Sequence, residues 1–320
     1  MSSTPRWLRV IAVPGMLLVG VGIAVQSRVN GQLGDELGTG LLAPVVTAMF
    51  TFCVGVVITS LVIAASPRQR RNFAHFRRSL GTHALPWRFI WGGALGTLFV
   101  LGQATAVGPL GLAVFTMAVV LGQTAGGAAA DRVGLGPGGP QPLSVPRIIA
   151  AATALAAVVL AGVGRLGSGG DASTTVVTTL LIFTVGVGVG TAIQQALNGR
   201  VGAVAGPYVA AWLNTAVGSV VLICALGAAL LLPHDFGAWP TQWWLYTGGP
   251  LGVSFIAASA LLVRVHGVLV LMLCTIAGQM AAAWAIAVAE SGGVPWTTHV
   301  ATTLVILGVG IAVLARRRVV

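Results

Sequence analysis

The chain has 320 residues, 56% hydrophobic and 7% charged, with a mean hydropathy of +0.95. A soluble domain carries about 25% charged residues, so a soluble globular protein, a disordered chain and a disulfide-stapled secreted domain are all excluded. The net charge of +11 comes from seventeen Arg and no Lys. On a soluble protein it would suggest a nucleic-acid groove. In so apolar a chain it sets orientation in a bilayer instead, so the expected partner is lipid and no nucleic acid is expected.

A transmembrane helix needs about 20 largely apolar residues. Ten such runs follow one another: 10–25, 41–65, 89–107, 110–130, 145–163, 175–197, 207–232, 243–263, 267–289 and 298–315. They are continuously apolar, which excludes the alternating strands of a membrane barrel. The expected fold is therefore an all-α integral membrane protein of ten transmembrane helices. Arg6 and Arg9 before the first run resemble a signal peptide, but no A-x-A site follows Ala24-Val25-Gln26-Ser27, so a retained helix is expected.

The Arg positions give the sidedness. With the N-terminus inside, fifteen of the seventeen fall on inner segments, and only Arg28 and Arg165 lie outside. Six of the inner ones, Arg68, Arg70, Arg71, Arg77, Arg78 and Arg88, share the loop at 66–88. They can also meet anionic headgroups. Both termini are expected in the cytoplasm. Asp35, Glu36, Asp171, Asp235 and Glu290 fall outside, and Asp131 inside.

The chain is written twice. GIAVQSRVNGQLG at 22–34 matches GTAIQQALNGRVG at 190–202, an offset of 168. PVVTAMFTFCVG at 44–55 matches PYVAAWLNTAVG at 207–218, an offset of 163. Gly92, Gly96, Gly111 and Gly122-Gln123 match Gly248, Gly252, Gly267 and Gly278-Gln279, an offset of 156. Each half has five spans, an odd number, so the second half enters the membrane from the opposite side. The expected organisation is a first five-helix repeat at 1–165 and a second, inverted, at 166–320, an arrangement common in secondary transporters with sites near the midplane. The charges agree: the loop at 66–88 is Arg-rich, and its counterpart at 233–242 has no Arg.

The pattern Gln26-x-x-x-Asn30-x-x-Leu33-Gly34, then Phe52-x-x-Gly55, then Gly122-Gln123 and Asp131-Arg132-Val133-Gly134-Leu135-Gly136, resembles the YdcZ-type inner-membrane proteins of the drug/metabolite transporter superfamily. Pro142-Leu143-Ser144 before the fifth span fits as well. The resemblance implies two fused five-helix units in a bacterial cytoplasmic (inner) membrane. The second half departs from the pattern, with Ala287 near the place of Asp131 and Thr215 for Phe52.

Polar side chains within a bilayer are candidates for function. Gln26 and Asn30 share a helix face at i, i+4, and Gln194 and Asn198 repeat them, near the outer and the inner side respectively. Each Asn precedes Gly, which also suits a helix end, so capping and interhelical bonding stand beside lining of a path. Gln123 and Gln279 lie deeper and form a second repeated pair, while Gln103 and Asn214 are unmatched polar residues. The pairs Gly92/Gly96, Gly122/Gly126, Gly186/Gly190 and Gly248/Gly252 read as close helix contacts. Trp87, Trp91, Trp239, Trp243, Trp244 and Trp296 mark interfaces. Cys53, Cys224 and Cys274 read as packing residues.

No Asp, Glu or Lys lies mid-span, which disfavours carboxylate-driven cation exchange; Asp131 and Glu290 read as solvated boundary residues. No Walker A motif, zinc spacing or Ser–His–Asp arrangement is present, so no catalytic residue, metal or cofactor is expected. The reading reached is a secondary transporter of a small neutral or zwitterionic metabolite, working by alternating access. The alternatives are a non-transporting membrane binding or assembly protein, a proton-coupled exporter of small organic compounds and, last, a lipid-acting membrane enzyme. The substrate is unidentified, and a homodimer is possible.

Overall fold

A computed structural model describes residues 6–136, 139–140, 145–167, 173–291 and 294–317. Asp171 and Pro142-Leu143-Ser144 lie outside the described residues. The described chain is helical almost throughout. The helices are α1 (Arg6–Leu37), α2 (Leu42–Ala65), α3 (Pro67–Gly81), α4 (Gly92–Leu110), α5 (Leu112–Arg132), α6 (Val145–Gly167), α7 (Thr174–Ala205), α8 (Pro207–Ala229), α9 (Gly248–Ser291) and α10 (Trp296–Arg317). Among the described residues, six of them contain a stretch long and apolar enough to cross a membrane: α1, α2, α4 with its preceding 3₁₀ turn, α5, α7 and α8.

Two sharp reversals each turn on one glycine. Gly111 has φ +79 between α4 and α5, and Gly206 has φ +84 between α7 and α8, where Pro207 then opens the next helix. Positive φ suits glycine because it has no Cβ to clash with the backbone.

Helix α7 lies between α4 and α5. Along α4 it runs antiparallel, with Asn198 at Gly92, Gln194 at Gly96 and Val187 at Gly102; along α5 it runs parallel, with Gly188 at Gly122 and Ala192 at Gly126. Helix α1 is gripped in the same way, with both flanks supplied by α9. Asn30 meets Gly248, Gln26 meets Gly252 and Gly15 meets Leu262, in antiparallel order. Leu17 then meets Gly278 and Arg28 meets Glu290, in parallel order. A straight helix of α9's 44 residues would extend about 66 Å at 1.5 Å per residue. Its helical backbone therefore folds back between Leu262 and Thr275 into two limbs that grip α1 as α4 and α5 grip α7.

At the centre α2 faces α8, with Gly55 against Thr215 and Gly218 against the Phe52 ring. On the outside α6 packs on α10, with Thr153 against Gly308. At one end of the bundle the α1–α2 and α8–α9 connections join in a two-residue antiparallel ladder, Gly38 to Phe236 and Thr39 to Asp235. The opposite end carries α3.

The segment read as an Arg-rich loop is largely this helix. Pro67 starts it, and Phe73, Phe76 and Leu80 form an apolar stripe at i, i+3, i+7. The stripe joins a cluster with Phe89, Leu197, Val201 and Val209, and Phe73 meets the Trp212 ring edge-on at 4.9 Å. Arg68, Arg70, Arg71, Arg77 and Arg78 face outward. The six Trp expected at interfaces are all exposed. Cys53 and Cys224 are exposed as well, which corrects their reading as packing residues: they lie on the outer faces of α2 and α8.

Candidate functional site

Two clusters of amide side chains hold α1 and α7 in their seats. In the first, Asn30 Nδ2 donates to Gln103 Oε1 at 2.7 Å, and Thr51 Oγ1 donates to Asn30 Oδ1 at 3.2 Å. Gln103 Nε2 donates to Ser27 Oγ at 2.9 Å, and Ser27 donates on to the Ile23 carbonyl. Gln26 Nε2 donates to the Gly248 carbonyl at 2.8 Å. Asn30, Gln103 and Ser27 are 0% exposed and Gln26 is 3% exposed, so the cluster is sealed. Sealed polar groups are stable only when bonded, and this network meets that demand apart from Gln26 Oε1, which has no partner among the described residues.

The second cluster centres on Asn214. Its Oδ1 accepts from Gln194 Nε2 at 2.8 Å and from Asn198 Nδ2 at 3.0 Å. Asn214 is buried, whereas Gln194 and Asn198 are half-buried. At offset 163 Asn214 is the counterpart of Thr51, the residue bonded to Asn30. Asn214 is thus matched after all, by a different polar residue. The pairing was hidden because only identical residues stood out in the sequence.

Each Gln/Asn pair lies on two glycines of the other half. A Cβ at Gly248 would collide with Asn30 Oδ1, and one at Gly252 would stand 2.8 Å from Gln26 Nε2. Cβ atoms at Gly92 and Gly96 would stand 2.6 Å from Asn198 Oδ1 and 2.5 Å from Gln194 Nε2. These glycines make room for amides, which is more specific than the close helix approach read from their spacing. Neither Asn ends a helix: α1 runs on to Leu37 and α7 to Ala205, which corrects the helix-end reading.

Gln123 is 8% exposed and Gln279 1%. Gln279 Nε2 has no hydrogen-bond partner among the described residues. Both sit at the tightest crossings. A Cβ at Gly122 would collide with the Val185 carbonyl, and one at Gly278 with the Leu17 carbonyl. Gly126 is also close: a Cβ there would stand 2.8 Å from the Val189 Cα. Gly186 differs from its reading: it is exposed, with nothing within 4 Å of a Cβ, and Gly190 makes only an ordinary contact with Leu98. The packed residue is Gly188, whose Cβ would collide with the Val119 carbonyl. The run Gly186-Val-Gly188-Val-Gly190 offered three phases for one groove, and the spacing alone selected the wrong one.

At the α1–α2 end a cleft of about 410 Å³ opens between α1, the α4–α5 junction, α6 and the second limb of α9. Arg28, Asp35 and Glu290 line it. Arg28 Nε bonds Glu290 Oε1 at 2.6 Å, across 262 residues of chain. Glu290 is 45% exposed at the end of α9, as a solvated boundary residue would be, and it is also an ion-pair partner. Sequence reasoning missed this group because only the reversal in α9 brings Glu290 back beside α1. The available signal was that Arg28 and the two acids all fell on the outer side.

The family model described as "Putative inner membrane exporter, YdcZ" matches residues 11–160 and again 179–315. The chain belongs to the YdcZ family. The two matched segments make it a tandem of YdcZ units, and the family description together with the apolar helices places it as a multi-pass inner-membrane transporter. No curated protein matches it. A solved structure, described simply as the crystal structure of a protein, superposes with a TM-score of 0.58. It has 17% sequence identity and covers 98% of this chain and 99% of that one. That likeness is one of fold.

Proposed function

We propose that this YdcZ tandem is a ten-crossing secondary transporter that moves a small neutral or zwitterionic metabolite by alternating access between two inverted halves, residues 1–165 and 166–320. The observation that carries the reading is reciprocity. Gln26 and Asn30 of the first half lie on Gly252 and Gly248 of the second, and Gln194 and Asn198 of the second lie on Gly96 and Gly92 of the first. The amide clusters then act as latches toward opposite faces. The first is sealed, and the second is half-buried, the asymmetry expected when one side of an alternating path is closed. In this reading the two limbs of α9 count as two crossings, both termini are cytoplasmic, and the Arg face of α3 lies inside. The amides Gln26, Asn30, Gln103, Gln123, Gln194, Asn198, Asn214 and Gln279 are the candidates to face the path when a latch opens. The Gln279 nitrogen, which has no partner among the described residues, would bind a ligand there.

The test is uptake or efflux of a broad panel of labelled neutral and zwitterionic metabolites in proteoliposomes. Saturable flux above protein-free vesicles is expected for at least one of them. A monodisperse, folded protein that moves none of the panel would remove the reading.

A further inference from the structure

We propose that the cleft at the α1–α2 end binds a small zwitterion: an ammonium and a carboxylate on an apolar body about the size of an apolar amino acid. This rests on the transport reading and narrows its substrate class. The volume of about 410 Å³ is ample for a molecule of that size. Its walls are apolar, with Val107, Leu112, Val114 and Val294 among the lining residues, and the charges at its edge are Arg28, Asp35 and Glu290.

The charges leave groups of both signs unused. A guanidinium has five N–H donors. Arg28 commits Nε to Glu290. Gln32, turned so that its amide oxygen faces the guanidinium, accepts from both terminal nitrogens, and an N–H remains on each with no further partner among the described residues. Asp35 stands seven residues along the same helix, on the same face and about 10 Å away along the axis. Its carboxylate lies against Gly108, 2.7 Å from where a Cβ would stand, and it accepts no hydrogen bond among the described residues. One cation and two carboxylates give the cleft a net charge of −1. An ammonium is therefore attracted and a bare anion repelled, while the free N–H groups of Arg28 give a carboxylate a partner only when the ammonium arrives with it.

The repeat does not require these charges. At offsets 168 and 156 the counterparts of Arg28, Asp35 and Glu290 are Ala196, Ala203 and Gly134. Arg28 and Asp35 come from the first half and Glu290 from the second, so the pairing between them is sensitive to any movement of one half against the other.

The test uses the full-length protein in detergent micelles and reads ligand-dependent melting temperature and calorimetric binding. The probes are L-leucine, L-methionine and L-phenylalanine, with isoamylamine as the amine and isocaproate as the acid. The amino acids should bind, isoamylamine more weakly, and isocaproate not at all. Asp35→Asn should weaken amino-acid binding about tenfold or more, the loss of one charge-assisted hydrogen bond. Arg28→Gln should abolish the preference for amino acid over amine. Asp35 makes no hydrogen bond among the described residues, so its variant should fold even if the Arg28 one does not. The proposal is overturned if none of the three amino acids binds, if isoamylamine binds as tightly as they do, or if Asp35→Asn leaves their binding unchanged. Flux of another metabolite with no amino-acid binding would sink this proposal alone. Asp35-dependent binding without any flux would sink the transport reading alone.

Discussion

The bond between Asn30 and Gln103 gives the sharpest test of how the first latch is held. Replacing Asn30 with Leu strands Gln103 Oε1, and replacing Gln103 with Leu strands Asn30 Nδ2; both sites are 0% exposed. An orphaned buried polar group costs about 1–3 kcal/mol. Thr51 loses its acceptor in the Asn30 variant, but its hydroxyl can turn to a carbonyl of its own helix, so one orphan dominates each single variant. Each single change should therefore destabilise by about 2 kcal/mol. The double variant leaves neither amide, and the pair should couple by about 1 kcal/mol, within the ~1.7 kcal/mol ceiling of interhelical bonds measured in membranes. A double-mutant cycle read by reversible unfolding in lipid bicelles measures this directly. Strictly additive losses, or single losses below about 0.5 kcal/mol, would show that the amides are not bonded as described and would refute the sealed latch.

Other predictions follow from the helix crossings. Gly186→Ala should be neutral or slightly stabilising, because the site is open and Ala favours a helix by up to ~1 kcal/mol. Gly188→Ala, two residues on, should cost about 1–3 kcal/mol, the range for overpacking, since the Val119 carbonyl cannot move aside cheaply; thermal unfolding of the two variants decides this, and equal melting temperatures would contradict the crossing. Gln279→Leu removes a buried nitrogen that has no partner among the described residues, so stability should hold or rise by about 1 kcal/mol, while flux of the transported metabolite falls. Unchanged flux would remove Gln279 from the path.

Much of this architecture was legible because membrane helices write their constraints into local sequence. The runs are continuous, and the amide and glycine positions recur at fixed offsets. What could not be read depended on which residues meet across the halves. Gln103 had no counterpart amide, yet it completes the first cluster because α4 passes beside α1. Asn214 seemed unmatched because its counterpart is a Thr. The ion pair of Glu290 was hidden because Arg28 is 262 residues away. Helix α3 was different: its i, i+3, i+7 stripe of Phe73, Phe76 and Leu80 was present in the sequence, but the Arg between those residues drew attention to charge rather than periodicity.

The central claim is that the two latches open in turn. In a variant lacking Cys53, Cys224 and Cys274, cysteine pairs can replace Asn30 with Gly248, or Asn198 with Gly92. A Cβ at either glycine stands 3.2 or 3.4 Å from the Asn Cγ, the place a Cys Sγ takes in the same rotamer, so a sulfur on the glycine's Cβ can reach it. Flux in proteoliposomes is then measured oxidised and reduced. Each cross-link alone should stop flux, and reduction should restore it, because a cycle cannot complete with either latch shut. Full flux through the oxidised protein, with cross-linking verified, would contradict alternating access by these two halves.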